Sequence, residues 1–439
     1  MSVFNSVTDM NNKRFTIFQI TFLAFTVKWL LFACLIGVLI GSVSAFFLVA
    51  LQWVTDYREA NVWIISLLPL GGLAIGLTYH YLGSSVVKGN NLLLEELHTP
   101  KNIIPFRMAP LVLFGTLLTH LFGGSAGREG TAVQMGGAIA DQFTRVFKLE
   151  DDDRKILIIM GISAGFASVF DTPLAGAIFA LELLLIGRMR YETLLPSMLV
   201  AQIANYTCTA WHVTHTHYNI PFIPDMRPDY LLYTLFAGIL FGLTALVFSK
   251  SVHFFTSTFK KLIAYPPLRP VVGGVVIALC VWILGTTKYI GLGVPTIQDS
   301  FTLQQPYYAF ALKLLLTAFT LGAGFKGGEV TPLFFIGATL GNLLFLLIPM
   351  PMALLAGMGF VAIFAGATNT PIACTLMGME LFGVQCGIYI GLACSMAYMF
   401  SGITGIYGSQ IIGGSRHLLF GNLKGRLLSS VYNGKKTSD

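Results

Sequence analysis

Residues 121–141 read LFGGSAGREGTAVQMGGAIAD and residues 321–342 read LGAGFKGGEVTPLFFIGATLGN. Leu121 matches Leu321, Gly124 matches Gly324, Gly127 matches Gly327 and Glu129 matches Glu329, each 200 residues further on. Beyond them, AGFASVFDTPLAGAIFALEL (164–183) aligns with VAIFAGATNTPIACTLMGMEL (361–381), so that Thr172-Pro173 meets Thr370-Pro371. In both copies a glutamate, Glu182 or Glu380, follows the proline by nine residues. An ordered run of matches over about 60 residues is the mark of a duplicated half.

The surrounding composition says what kind of half. Apolar residues make up 55% of the 439 and charged residues 11%. Between Glu329 and Arg416 the only charged residue is Glu380. Residues 29–51, WLLFACLIGVLIGSVSAFFLVAL, carry no charge and exceed the ~20 residues a crossing helix needs. Further crossing-length stretches are 62–80, 156–181, 230–249, 271–287, 307–324 and most of 330–412. The chain therefore reads as an all-α polytopic membrane protein. Its polar lead, MSVFNSVTDMNNKRF, and the long apolar run after it do not fit a cleaved signal peptide, so the first helix is expected to be retained.

The formal net charge of +7 gathers at the two ends. Lys13, Arg14 and Lys28 outweigh Asp9 at the front; Arg416, Lys424, Arg426, Lys435 and Lys436 outweigh Asp439 at the back. The positive-inside rule then puts both termini in the cytoplasm. These cations flank membrane segments and form no aromatic-laced patch, which argues against a nucleic-acid partner. The cysteines at 34, 208, 280, 374, 386 and 394 are scattered without ligand spacing and read as packing residues.

In membrane transporters, duplicated halves are usually inverted repeats that hold substrate at the midplane on broken helices. The expected organisation is a cytoplasmic segment 1–19, a first membrane repeat 20–211, a polar linker 212–229, a second repeat 230–430 and a cytoplasmic tail 431–439. His212, His215 and His217 in the linker lack acidic or thiol partners at ligand spacing. They read as a solvated loop, and no metal or cofactor is expected.

Two local motifs point elsewhere. GGSAG (123–127) has the G-x-S-x-G form of a hydrolase elbow with Ser125 as nucleophile, and GAGFKG (322–327) has the G-x-G-x-x-G form of a dinucleotide loop. Neither has its strand–turn–helix setting. The repeat accounts for both, because they are one structural position occurring twice, and an enzyme is not expected.

Glycines let a helix break and let an ion approach main-chain N–H groups. The free N–H groups and dipole of a helix start attract an anion. Two such starts meeting in the membrane form an anion site without a full charge, so the ion can also leave. Glu129 at one start is itself an anion and can take the substrate's place. Burial disfavours its charged form, so the same side chain can leave as a neutral acid and carry a proton. Arg128 is expected at the water-filled entrance, supplying positive potential.

GREG opening a helix, the repeat, and GGEVTP at the matching position together resemble the CLC family of anion channels and anion/proton antiporters, over residues 20 to about 430. Chloride-handling members typically carry G-S-G-I-P, G-[KR]-E-G-P and G-x-F-x-P. This chain has VKGNNLLLEELH (87–98), Gly127-Arg128-Glu129-Gly130-Thr131, and GGEVTP (327–332) instead. Those substitutions resemble the fluoride-exporting branch, although Lys88 stands where that branch often has methionine. The resemblance implies a CLC-type inverted repeat with tilted, partly spanning helices and a midplane anion site.

It also implies that Lys88, Gly89, Asn90, Asn91, Gly130, Val330, Thr331 and Tyr407 surround the ion. Glu129 would be the gating and proton-transfer glutamate, and Glu329 a second proton-transfer or anion-path carboxylate. Asn90, Thr331 and a protonated Glu329 suit a small, strongly hydrated, hydrogen-bond-accepting anion. Exchangers of the family take an inner proton on a glutamate that falls here at Leu183, one residue after Glu182. Glu329 is the natural substitute, and Glu182 and Glu380 are expected to be structural. The short stretch after Tyr407 leaves no expectation of the nucleotide-sensing domains found in some relatives. The expected protein is a homodimer in a cell (inner) membrane, bathed in lipid, exchanging fluoride for protons. Chloride/proton exchange and a passive anion channel are the alternatives.

Overall fold

Glycine and proline decide where this chain stops being helix. In the computed structural model the described residues are 2–414 and 423–432. Arg416, Lys435, Lys436 and Asp439 lie outside them, as do the side chains of Asp9, Lys13 and Arg14. The first half contains α1 (Ser2–Ala60), α2 (Leu68–Tyr81), α3 (Asn90–His98), α4 (Met108–Leu121), α5 (Glu129–Phe147), α6 (Asp151–Phe170), α7 (Pro173–Glu182) and α8 (Leu194–Ala210). The second contains α9 (Pro228–Leu262), α10 (Leu268–Leu284), α11 (Val294–Asp299), α12 (Ala309–Gly322), α13 (Val330–Leu344), α14 (Met352–Thr368), α15 (Pro371–Phe382) and α16 (Gly387–Phe400). A short α17 (Leu428–Tyr432) follows. Strand β1 (Leu185–Ile186) pairs in parallel with β2 (Ile411–Ile412).

The two sets of eight correspond helix for helix. Among the described residues, three stretches are long and apolar enough to cross a membrane: Phe22–Ala60, Val62–Tyr81 and Pro228–Leu262. Several stretches that read as single crossings are divided instead. The 156–181 stretch ends its first helix at Asp171, in the left-handed region at φ 59°, and Pro173 opens α7. Its counterpart breaks in the same way at Asn369, φ 66°, before Pro371. A left-handed cap followed by proline at the first helical position is a strong stop-and-restart signal.

The halves run in opposite directions. α6 ends at Asp171, near the 212–227 linker, whereas α14 ends where Ile406 N–H donates to the Ala367 carbonyl at 2.9 Å. Within each half the paired helices touch through backbone. A Cβ at Gly136 would strike the Gly161 carbonyl, and one at Gly337 would strike that of Gly359. Such close crossings let main chains pack without side chains between them, the usual contact where lipid offers no hydrophobic drive.

The structure corrects the repeat register by one residue. Gly123 and Gly324 share positive φ, α4 and α12 start 201 residues apart, and so do α5 and α13. Glu329 thus corresponds to Arg128, and Glu129 corresponds to Val330. The glycine-rich sequences slide past one another at little loss of matching, which is why the 200-residue offset looked right.

A buried ionic cluster fixes α3 against α5 and α6. The Arg154 guanidinium donates to Asp141 at 2.7 and 2.8 Å and to Glu96 at 3.2 Å. Asp141 also accepts the Ile104 N–H at 2.7 Å. This holds Asn90, at the start of α3, in place.

Glu182 and Glu380 cap each other's helices across the repeat. The N–H groups of Ile372 and Ala373, starting α15, donate to Glu182 at 3.1 and 2.8 Å. Those of Leu174 and Ala175, starting α7, donate to Glu380 at 2.9 and 2.8 Å. Each carboxylate thereby satisfies free donors at a positive helix end. Because hydrogen bonds to charged groups are worth about 1.5–3 kcal/mol, Glu182→Gln is expected to cost about that much stability. Thermal unfolding in detergent reads it, and an unchanged midpoint would remove the capping role.

Candidate functional site

The loops before α5 and α13 bond to each other. Gly127 N–H donates to the Gly328 carbonyl at 2.6 Å and Gly328 N–H donates to that of Gly127 at 2.7 Å. This reciprocal pair brings two opposed helix starts into contact at the centre of the protein. Gly127 has to be glycine. A Cβ there would lie 2.9 Å from Glu129 Oε2, 2.9 Å from Pro332 Cδ and 3.0 Å from the Gly328 carbonyl.

The carboxylate of Glu129, fully buried, crosses to the other half. Its Oε2 accepts the Thr331 N–H at 3.1 Å and the Arg128 N–H at 3.1 Å, and its Oε1 accepts the Thr331 hydroxyl in a short bond. Arg128 Nε stands 3.6 Å from Oε1, one-fifth exposed and with no hydrogen-bond partner for that nitrogen. The carboxylate rests on the first turn of α13, where an anion is favoured.

Two cavities lie against this seat. One of about 190 Å³ is lined by Lys88, Gly89, Asn90, Asn91, Gln134, Lys326, Glu329 and Tyr407, among others. The other, of about 20 Å³, is lined by Arg128, Glu129, His215, Tyr218, Thr331 and Phe334, among others. Of these two cavities, Glu329 lines the larger and Glu129 the smaller. They face different cavities because the register places Glu329 one residue before α13, whereas Glu129 is already inside α5. They stay close enough to feel each other's charge. Glu329 Oε2 is shut off from solvent and unpartnered. A Cβ at Gly130 would meet it at 3.6 Å and Asn90 Nδ2 at 3.3 Å, so both side chains converge on the start of α5.

The other residues sort by what they touch. Tyr407 is buried and lines the larger cavity together with Asn90. It lies in the loop after α16, not at the start of a helix. Asn91 is a tether, its Oδ1 accepting the Ser409 N–H at 3.0 Å, which holds the Tyr407 loop in place. Lys88 is exposed and pairs with Glu95 at 2.6 Å. It stands where the cavity opens and not against the Glu129 carboxylate, because its neighbour Gly89 turns the chain at φ 58° into α3. The Val330 side chain belongs to the apolar core, so only its backbone remains for an anion.

Three lining residues were not anticipated. Gln134 is one turn into α5, and a Cβ on Gly89 would sit 3.2 Å from its Nε2. Lys326 places its ammonium 4.1 Å from the centre of the Tyr79 ring and, among the described residues, makes no ion pair with Glu329. His215 belongs to the linker read as solvated loop, yet it is half-buried. Only its proximity in space to Glu129 distinguishes it from His212 and His217, and no sequence spacing carries that.

Beyond the 190 Å³ cavity opens a vestibule of about 740 Å³ that bears Lys88, Lys260, Arg269 and Lys326 against Glu95. Ser125 is held by structure: its Oγ donates to the Tyr289 carbonyl at 3.1 Å and bonds the Thr317 hydroxyl at 2.8 Å. Both nitrogens of His120 bond backbone carbonyls. Among the described residues no three His, Cys, Asp or Glu gather as a metal site.

Residues 71–402 match the profile of the family described as voltage gated chloride channel. A "Chloride/fluoride channel protein" of Pseudomonas syringae pv. tomato is 51% identical over 405 residues, 91% of this chain and 90% of that one. The crystal structure of a CLC-type fluoride/proton antiporter superposes with a TM-score of 0.85 at 36% identity, covering 87% of this chain and 97% of that one. The "H(+)/Cl(-) exchange transporter ClcA" of Vibrio vulnificus is 27% identical over 383 residues, 80% and 81% of the two chains.

Gly127→Ala is expected to destabilise the protein by about 1–3 kcal/mol, the usual range for overpacking. In a Glu129→Ala background part of that cost should vanish, since one of the three clashes is gone. Thermal unfolding of the four variants checks the cycle, and strict additivity would separate Gly127 from the seat.

Proposed function

Because the chain belongs to the voltage-gated chloride channel family, we propose that it is an anion/proton antiporter that exports fluoride in exchange for protons. The observation that carries this reading is the Glu129 carboxylate, lying across the α13 start and bordering the small cavity, where a substrate anion would sit. Protonated, it no longer competes for the Thr331 donors and gives up the seat. One group therefore links anion access to proton movement.

Fluoride suits the lining. A small, tightly hydrated anion needs donors to replace its water, and the Asn90, Gln134, Tyr407 and Thr331 side chains supply them beside backbone N–H groups. Glu329, facing the larger cavity without a partner for Oε2, is the proton carrier on that side. Glu182 is committed to capping and leaves that role to it. The similar fluoride/proton antiporter and chloride/fluoride channel protein support the same substrate. The more distant chloride/proton exchanger supports the exchange and makes chloride the competing cargo.

The vestibule side is the cytoplasm, and the protein sits in the inner cell membrane with both termini inside. Lys88, Lys260, Arg269 and Lys326 on that side, with Ser429 of α17 at its wall, satisfy the positive-inside rule. Two copies assemble. Glu380 is exposed beside Leu174 and Ile372 on an apolar face, where lipid is a poor neighbour for a carboxylate and a protein partner a better one.

In proteoliposomes, fluoride efflux should drive measurable proton uptake and greatly exceed chloride efflux. Glu129→Gln should bring proton movement to the level of protein-free vesicles while fluoride still moves, and Glu329→Gln should slow coupled exchange. Equal chloride and fluoride rates would hand the substrate to chloride, and fluoride flux with no proton movement would make the protein a channel.

A further inference from the structure

We propose that His215 is the outer proton relay of this antiporter, passing protons between the outer solution and Glu129 through the small cavity both line. The inference rests on the exchange reading above and adds a residue to it.

His215 and Glu129 border the same space of about 20 Å³. That is room for one water molecule and little else. The ring's Nε2 is closed off from solvent and has no hydrogen-bond partner, an expensive state for a buried polar atom unless a water or a transferred proton satisfies it. Nε2 is therefore the ring nitrogen that a water in the small cavity would serve. The neighbours Thr214 and His217 are exposed, so the ring stands between bulk water and the cavity.

The inverted repeat gives independent support. The linker after α8 carries His215, and the equivalent segment after α16 carries Tyr407. The first lines the outer face of the seat and the second its inner face. Each half thus uses the stretch beyond its last helix to bring a polar ring to the ion path from the opposite side.

The proton balance is simple. An imidazolium gives its Nε2 proton to the water while the water gives one to the Glu129 carboxylate. Neutral imidazole and neutral acid result, and the ring recharges from outside. The charged or titratable groups facing the ring are Asp171 at the end of α6, Arg128 and Glu129 at the start of α5, and His217 and Tyr218 in the linker; Phe334, Phe360 and Leu381 from α13, α14 and α15 carry no charge. Burial holds the ring's proton affinity below the usual histidine value, opposed by Asp171 and reinforced by Arg128 and His217. A group lowered in this way is charged only when the outer solution turns acid, below the ordinary value of about 6.5. The relay therefore loads when the inward proton gradient is steep.

The test is coupled fluoride/proton turnover in proteoliposomes as outer pH is lowered at fixed inner pH. The wild-type rate should rise on acidification. His215→Gln should be slower and lose that rise, fluoride and proton fluxes falling together. His215→Ala should recover with added imidazole but not with thiazole, a ring of similar size that does not take up a proton in this range. A His215→Gln protein with the wild-type rate and pH profile overturns the relay while leaving the antiport reading intact. Wild-type fluoride flux without protons overturns both. If the His215 variants fail to elute as folded protein, Asp171→Asn serves, since asparagine tolerates the left-handed position. It should move the acid-dependent rise to lower pH, and an unmoved profile overturns the relay.

Discussion

The structure turns on a carboxylate that belongs to one half and is satisfied by the other. Glu129 leaves the first turn of α5 and ends on the first turn of α13, and the backbone pair between Gly127 and Gly328 makes that reach possible. Without the pair, two positive helix ends would have no reason to converge, since each repels the other. The buried anion is the counter-charge that lets them meet. Glycine at 127 is forced by the same geometry, because any side chain would occupy the space the carboxylate crosses.

Around that centre the inverted repeat is kept where it builds and broken where it works. It is kept in the crossed caps of Glu182 and Glu380, in the left-handed stops at Asp171 and Asn369, and in the glycine crossings of α5 with α6 and α13 with α14. It is broken at Arg128 and Glu329, which occupy equivalent places on the 201-residue register with opposite charges. Arg128 faces the small cavity and Glu329 the larger one. A symmetric site would treat the two sides of the membrane alike; this exchange of charge makes them different.

Much of this was legible in the sequence, for identifiable reasons. Duplication left ordered matches, and burial of charge in an apolar chain is costly enough that Arg128, Glu129 and Glu329 stood out at once. Thr331 and Asn90 followed from the resemblance of their motifs. The one-residue register error came from glycine, whose repeats match themselves at several offsets, and it matched Glu329 to Glu129 where the structure matches it to Arg128. Lys88 was misplaced because its ammonium is drawn to Glu95 by a turn at Gly89 that the sequence does not announce. Gln134, Lys326 and His215 reach the two cavities through helix phase and a linker's course, which motif spacing does not encode. The broken crossings at 156–181 and 330–412 show a further limit. Hydropathy reports that a segment is apolar, whereas Thr-Pro and a left-handed residue decide whether it is one helix or two.

The seat also gives the proposed exchange a physical basis. Of its donors, the Thr331 N–H and hydroxyl are buried and the Arg128 N–H is half-buried. Leaving a buried donor unmade costs about 1–3 kcal/mol, so emptying all three together is strongly disfavoured. Glu129 therefore has reason to stay until another acceptor replaces it, and an anion has reason to stay until Glu129 returns. Protonation shifts the balance, because a neutral acid is a weaker acceptor than a carboxylate for the same donors. The vacancy it invites is best filled by the strongest competing acceptor small enough to reach the Thr331 hydroxyl. That condition favours fluoride over larger halides, and it arises from the donors already required to hold Glu129 in place.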